Sequence, residues 1–231
     1  VDPQGQFNDR ALTVRGGKGD DTIRGSNGND IIRAGPGDDS IDGGRGADTE
    51  FLGPGNDSAL WLPGEGSDVI EGAGGHDTLT FIGNGANENF ALTANGSHAV
   101  LTRDVGTITM DTEGVEALNL ATLGGTDTVN VGDLSGTHLR ANNIDLSSAG
   151  APDGQLDSVT VNGTNDGDHV LVAADGSAVQ VDGLHTRTNI TGSDSRDQLQ
   201  VRTGAGDDSV DVSDAAAALI GVTVDLGTDQ H

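Results

Sequence analysis

The chain has 231 residues, of which 33% are hydrophobic and 2% aromatic, and it contains 38 glycines and no cysteine. Asp and Glu number 37 against 11 Lys and Arg, so the formal charge is −26. This composition argues against an ordinary compact globule, against disulfide or thiolate sites, and against nucleic acid or an anionic membrane as a direct partner. A disordered polar chain or a repetitive β fold with a thin core remains.

The two ends of the sequence carry no recognisable targeting signal. There is no signal peptide and no apolar run long enough to span a membrane. We expect the chain to be a piece of a longer protein, with residues 1–15 forming a lead-in strand and His231 beginning a tag.

From residue 16 to residue 80 the sequence repeats every nine residues. All seven units have Gly at the fourth position and Asp at the sixth, and an insertion, Trp61-Leu62, precedes the sixth unit. The units are GGKGDDTIR (16–24), GSNGNDIIR (25–33), AGPGDDSID (34–42), GGRGADTEF (43–51), LGPGNDSAL (52–60), PGEGSDVIE (63–71) and GAGGHDTLT (72–80).

Each unit is predicted to form a six-residue loop followed by a three-residue strand. The eighth residue points inward, and it is Ile23, Ile32, Ile41, Ile70 or Leu79 in five of the units. Two units form one flattened turn, so loops two units apart stack at about 4.8 Å. Stacked carboxylates about 5 Å apart repel by roughly 3 kcal/mol at an effective dielectric of 20, and a hard divalent cation between them turns repulsion into binding.

These units resemble the GGxGxDxUx repeats of RTX (haemolysin-type) calcium-binding proteins. The resemblance implies a calcium-stabilised parallel β-roll over 16–80, and the stacking order gives three gaps on one edge and two on the other, hence about five Ca²⁺ ions. The candidate metal ligands are the sixth-position carboxylates and the loop carbonyls of glycines: Asp21, Asp30, Asp39, Asp48, Asp57, Asp68 and Asp77, with Gly16, Gly19, Gly25, Gly28, Gly37, Gly46, Gly55 and Gly66.

Two units depart from the pattern. Glu50 and Ala59 occupy inward positions, and the Trp61-Leu62 insertion follows. We expect a β-bulge there, covered by Phe51 or Trp61. The departures weaken the prediction for the sites of Asp48, Asp57 and Asp68 relative to those of Asp21, Asp30 and Asp39.

Residues 81–231 contain a longer repeat. Eight strands from Asp77 onward begin acid, any, apolar, any, apolar; they come in pairs 11 residues apart, the pairs recur about every 40 residues, and similarity is strongest at about 80. This predicts a β-solenoid or parallel β-helix that continues the roll. Asn95-Gly96 and Asp175-Gly176 are hairpin signals that suit local antiparallel excursions, or antiparallel β-sandwich-like repeats as the alternative.

One later segment, TGAGDDSVD (203–211), returns to the nine-residue motif. No similar copy lies two units away, so the sequence predicts no stacking partner for its loop and no fully ligated site at Asp208.

No catalytic motif is present, so we predict a non-enzyme with no catalytic residues. The resemblance implies a calcium-dependent folding module of a larger secreted, extracellular bacterial RTX protein, exported by type I secretion and monomeric. One alternative is a β-helix module of a polysaccharide-active enzyme, which would need Arg103, Arg140 or Arg187 beside carboxylates in a groove. Another is a structural spacer of a large adhesin.

Overall fold

A computed structural model describes residues 10–227 of the chain. It contains 23 strands and one short helix, α1 (Asp214–Ala217). The strands are β1 (Thr13–Arg15), β2 (Thr22–Arg24), β3 (Ile31–Arg33), β4 (Ser40–Asp42), β5 (Thr49–Gly55), β6 (Ser58–Trp61), β7 (Val69–Gly75), β8 (Thr78–Asn84), β9 (Asn89–Asn95), β10 (His98–Arg103), β11 (Ile108–Glu113), β12 (Ala117–Leu123), β13 (Thr128–Val131), β14 (Ala141–Asp145), β15 (Ser147–Ser148), β16 (Ala151–Pro152), β17 (Ser158–Asn162), β18 (His169–Asp175), β19 (Ala178–Asp182), β20 (Arg187–Thr191), β21 (Gln198–Arg202), β22 (Ser209–Val212) and β23 (Gly221–Asp225).

All strands except β15 and β16, which pair only with each other, form two long sheets between which the chain alternates. Sheet I has the order β1-β3-β5-β7-β11-β10-β9-β13-β17-β21-β23, and sheet II has the order β2-β4-β6-β8-β12-β14-β20-β19-β18-β22. Pairing within the first turns is parallel and joins residues 18 apart, as in Thr13 with Ile31 and Thr22 with Ser40. The predicted parallel β-roll continuing into a β-solenoid is confirmed.

The core lies between the two sheets and follows the strand period. Ile32 and Ile41, at the eighth position of their units, are 0% and 1% exposed, while the residues on either side of them face outward or toward the loops. The three-residue strands bury one residue each. Later strands bury two, as Val129 and Val131 do in β13, because their alternation continues beyond the third residue.

Two antiparallel excursions interrupt the parallel stack, one in each sheet. β9 and β10 pair around Asn95-Gly96, and β11 pairs antiparallel with β10 and parallel with β7. β18, β19 and β20 repeat this arrangement around Asp175-Gly176 in sheet II. Gly96 and Gly176 have φ of 66° and 62°, as a tight hairpin turn requires. The hairpins are local excursions, and the antiparallel sandwich alternative is wrong.

The Trp61-Leu62 insertion is accommodated without the bulge that we expected. β6 instead extends to Trp61 and pairs in register with β8, so that Trp61 lies beside Phe81. The two rings stack at 4.0 Å, Phe81 meets Phe90 of sheet I edge-on at 6.0 Å, and Trp61 is 1% exposed. Trp61 therefore fills the core, whereas Phe51 lies outside under the guanidinium of Arg33.

The described part of the chain ends in a short capped helix and a last strand. Ser213 caps α1, whose Ala216 is fully buried, and β23 then returns to sheet I beside β21. Within residues 10–227 the structure has no helix with the length and apolarity needed to cross a bilayer. The predicted lead-in strand lies at Thr13–Arg15; residues 1–9 and His231 are outside the described residues.

Candidate metal centre

The six-residue loops stack on one another along the two long edges of the roll. Edge one carries loops 16–21, 34–39, 52–57 and 72–77, which run from sheet I to sheet II; edge two carries loops 25–30, 43–48 and 63–68, which run back. At the fourth position of each loop that stacks on an earlier one, the backbones approach so closely that only glycine fits. A Cβ on Gly37, whose φ is 143°, would lie 2.3 Å from the carbonyl oxygen of Gly19. The loop carbonyls are thus turned toward the next loop.

The sixth-position aspartates of edge one form a ladder. The backbone N–H of each Asp donates to Oδ1 of the Asp one turn later: Asp21 to Asp39 at 2.7 Å, Asp39 to Asp57 at 2.7 Å and Asp57 to Asp77 at 2.9 Å. Oδ1 of every later carboxylate is therefore held by a peptide of the preceding loop.

Edge two carries the same ladder with three members. The N–H of Asp30 donates to Asp48 at 2.7 Å, and that of Asp48 donates to Asp68 at 2.8 Å. The two ladders reproduce the stacking order that the nine-residue spacing predicts, with three gaps on one edge and two on the other.

The second oxygen of these carboxylates is the feature that fits a metal ion. Oδ2 of Asp21, Asp39, Asp48, Asp57 and Asp77 is buried and has no hydrogen-bond partner. A buried carboxylate oxygen without a partner is costly unless a cation faces it. Asp30 differs, because its Oδ2 accepts the N–H of Ser26 at 2.5 Å and its Oδ1 accepts that of Leu12 at 2.6 Å.

Backbone oxygens lie where they could complete such a site. The position that a Cβ of Gly16 would occupy is 2.5 Å from Asp21 Oδ2 and 2.5 Å from the carbonyl oxygen of Ala34 in the next loop. No group of three or more His, Asp or Glu side chains within residues 10–227 could hold a metal ion by itself. Hard carbonyl and carboxylate oxygens in combination are the donor set that calcium takes.

Comparison with known proteins identifies these loops. The family model of the RTX calcium-binding nonapeptide repeat (4 copies) matches residues 15–50, 24–59 and 64–80. Residues 15–80 are RTX calcium-binding nonapeptide repeats. This segment is a calcium-binding module of the RTX type, and the matched residues make up well under half of the chain. A search of curated proteins gave no match to the chain.

Burial perturbs the acidity of the RTX carboxylates. Burial raises the pKa of Asp48 to about 7, and it raises the pKa of Asp68 and of Asp77 to about 6. The amide donors of the ladder act in the opposite direction, while neighbouring carboxylates such as Asp57 beside Asp77 raise the pKa further. Without a cation, burial therefore shifts the carboxyl groups of Asp48, Asp68 and Asp77 toward their protonated forms.

The aspartate ladder continues beyond the RTX repeats. On edge two, Oδ1 of Asp127, Asp157 and Asp197 accepts the N–H of Glu88, Asp127 and Asp157 respectively, at 2.8–2.9 Å. Burial raises the pKa of Asp127 to about 7 and that of Asp157 to about 6. The strand starts that the sequence grouped by their acids thus share one hydrogen-bonding role.

Loop 203–208 does have a stacking partner, so the prediction that it stands alone is wrong. Asp168 donates its N–H to Asp208 Oδ1 at 2.8 Å, and β18 pairs in parallel with β22. The antiparallel excursion separates these loops by 40 residues in sequence while leaving them adjacent in space, and an 18-residue spacing rule does not find such a pair.

The RTX loops carry a second row of stacked side chains at the fifth position, which the repeat motif did not reveal. Asp20 and Asp38 accept the N–H of Asp38 and Asn56 in the following loop, at 2.9 and 2.8 Å. Asn29 does the same for Ala47 on edge two. The signal was the frequent Asp or Asn at a position that the repeat motif leaves variable.

Proposed function

We propose that the chain is a non-catalytic module that binds about five calcium ions and folds because of them. We further propose that the chain is part of a larger secreted bacterial protein of the RTX type. The observation that carries it is the row of buried, unpartnered Oδ2 atoms at Asp21, Asp39, Asp48, Asp57 and Asp77, each in a stacked loop.

We place the ions in the five gaps between stacked loops, each of which lies between two sixth-position aspartates. The proposed ligands are the sixth-position carboxylates, Asp21, Asp30, Asp39, Asp48, Asp57, Asp68 and Asp77, with the carbonyls of the loop glycines. On edge one, a carbonyl from the next loop stands beside the aspartate at Gly16, and the arrangement recurs at Gly72, where Gly114 supplies the carbonyl. Calcium bound there neutralises the stacked charge.

Calcium coupling of this strength would make the fold of residues 16–80 conditional. With a site Kd of about 0.1 mM, each ion adds roughly 1.5 kcal/mol at 1–2 mM calcium, and five ions add on the order of 7 kcal/mol. That is comparable to the whole stability of a domain. At low calcium inside a cell the acidic loops repel and the segment stays extended, which suits passage through a narrow export channel; outside it folds.

The test is calorimetric titration of the full chain with calcium, combined with far-UV circular dichroism in chelator. About five ions should bind, and the loss of calcium should remove the β signal of residues 16–80. An unchanged spectrum and no bound calcium would exclude the proposal.

The polysaccharide-enzyme alternative finds no support in the three arginines that it needs. Arg103 is 4% exposed and forms a buried ion pair with Glu88 beside the Trp61 ring. Arg187 forms a surface ion pair with Asp182. Arg140 contacts the carbonyls of Thr137 and Leu139 and the ring of His185. A spacer role in a larger secreted adhesin is compatible with the proposed module, because the calcium chemistry is the same.

A further inference from the structure

One carboxylate of the β-roll, that of Glu50, is buried between the two sheets. Glu50 stands in β5 in register between Ile32 of β3 and Ile70 of β7. All three side chains point into the roll, and Glu50 is 3% exposed. A carboxylate at a position where the neighbouring strands have isoleucine is expensive unless something binds it.

The carboxylate of Glu50 occupies a position that is taken in other loops by a backbone carbonyl oxygen. At Gly16, Gly25 and Gly72, the position of an added Cβ is approached by Oδ2 of the loop's own aspartate, at 2.5–2.6 Å, and by a carbonyl oxygen of the stacked loop, at 1.8–2.5 Å. At Gly43 the same position lies 2.7 Å from Asp48 Oδ2 and 2.5 Å from Glu50 Oε1. Glu50 therefore supplies an anionic oxygen where the other loops supply a neutral one.

Oxygens of this pair lack partners. Glu50 Oε2 and Asp48 Oδ2 are buried without a hydrogen bond, and Asp48 is 1% exposed. Burial raises the pKa of Glu50 well above its usual value, and the carboxylates of Asp68, Asp48, Asp42 and Glu65 raise it further. Four other carboxylates thus lie close enough to that of Glu50 to act on it.

We propose that Glu50 is a calcium ligand, acting with Asp48 in the gap between loops 43–48 and 63–68 and making this gap the tightest calcium site of the roll. The inference rests on the proposed function. Glu50 Oε1 and Asp48 Oδ2 bind the ion, backbone carbonyls complete its shell, and Asp68 and Asp42 add negative charge nearby. Calcium affinity rises with the number of charged ligands, so a gap with an extra carboxylate binds more tightly than its neighbours.

The site has an optical reporter beside it. Trp61 is the single tryptophan of the chain, and its indole N–H donates to the carbonyl of Gly66 at 2.7 Å, in loop 63–68 of the same gap. Terbium is a hard cation that takes the same oxygen ligands as calcium, and excitation of a nearby indole sensitises its emission. Terbium emission sensitised by Trp61 therefore reports binding in this gap in preference to binding in the gaps of edge one.

The experiment compares the full chain with Glu50→Gln, which keeps the shape of the side chain and removes its charge. Glu71→Gln is the control, since Glu71 lies on the neighbouring strand β7, is more exposed and belongs to no loop gap. Glu50→Gln should abolish the tightest phase of the terbium titration or weaken it about tenfold or more, and calcium titration should show one tight ion fewer. Glu71→Gln should match the unmodified chain.

A second variant keeps the inference testable if Glu50→Gln folds poorly. Glu50→Ile restores the apolar pattern of the eighth position, so it should be more structured in chelator than the unmodified chain while also lacking the tight ion. Equal tight phases and equal ion counts in the unmodified chain and in either variant would overturn the role of Glu50. Absence of calcium binding in the unmodified chain would instead overturn the proposed function.

Discussion

The RTX repeats and the later solenoid share one continuous pair of sheets, but they differ in how many apolar side chains each strand buries. β2, β3 and β4 have three residues and bury one apolar side chain each. In five of the seven RTX loops the sixth-position aspartate has a buried carboxylate oxygen without a partner. β17 and β21 have five residues and bury two, as with Val159 and Val161 or Leu199 and Val201. At about 25 cal/mol per Å², the second side chain is worth roughly 1.5–2 kcal/mol per strand, similar to one calcium ion of the affinity assumed above. If calcium stabilises the RTX repeats as proposed, the second buried side chain of the later strands can take the place of the metal within one architecture.

The largest expected effect separates the two regions directly. Withdrawal of calcium should unfold residues 16–80 while residues 116–226 keep their β structure, because the later strands hold a core that does not depend on metal. Hydrogen exchange by mass spectrometry, followed peptide by peptide during chelation, measures this. Simultaneous loss of protection along the whole chain would refute the distinction.

A matched pair of substitutions compares a ladder interior with a ladder end. Asp39→Asn should weaken or abolish the binding of two ions, because Asp39 stands between Asp21 and Asp57 and borders two gaps. In the presence of calcium, the free energy of unfolding should fall by about 3 kcal/mol. Asp208→Asn should cost at most one ion, since Asp208 stacks on Asp168 alone among the loop aspartates. Calorimetric titration counts the ions, and equal losses would show that the two regions use their aspartates alike.

The pH dependence of the calcium-free RTX segment should have an unusual sign. The pKa of Asp48 is raised to about 7 and those of Asp68 and Asp77 to about 6, above the value of roughly 4 for an unfolded aspartate. The folded state then binds more protons, so in chelator the segment should gain stability as the pH falls from 7.5 to 5. In saturating calcium the trend should reverse, because protons compete with the metal. Far-UV circular dichroism of the calcium-free chain and thermal melts of the calcium-loaded chain, each at several pH values, check both trends. A calcium-free segment that regains no β structure as the pH falls would contradict the assignment.

The smallest effect tests whether the hairpins of the solenoid are independent of calcium. Gly96→Ala places a side chain at a φ of 66° in open space, so its cost is the backbone strain alone, about 1 kcal/mol. Gly176→Ala is its counterpart in sheet II, at a φ of 62°. Both should lower the melting temperature of the second region equally in calcium and in chelator. A calcium-dependent difference would show that the two regions unfold as one unit.

The nine-residue period made much of the fold of residues 16–80 predictable, because each position has one environment that repeats. Ile32 and Ile41 face inward as the eighth position demands, and the loops stack in the order that the spacing implies. The sequence could not reveal that Oδ1 of each aspartate is held by a peptide of the preceding loop, since this depends on strand register. The pairing of Asp168 with Asp208 was hidden for a related reason: the excursion between them breaks the constant spacing. Glu50 looked like a flaw because its position is apolar elsewhere, and only its approach to Gly43 gives it a role.

The two hairpin excursions lie in opposite sheets, and this placement keeps the number of stacked strands equal in the two sheets as far as β22. After β9, β10 and β11 have entered sheet I, that sheet is two strands ahead of sheet II, an offset of about 10 Å along the axis. β18, β19 and β20 add the same two strands to sheet II, so that β21 and β22 again stand at the same height. A single 40-residue segment would leave one sheet two strands longer than the other, whereas a segment of 80 residues ends with the two sheets at the same height along the axis. The interval of about 80 residues, and not that of about 40, therefore ends with the two sheets at equal height, and it is also the interval at which the sequence similarity is stronger.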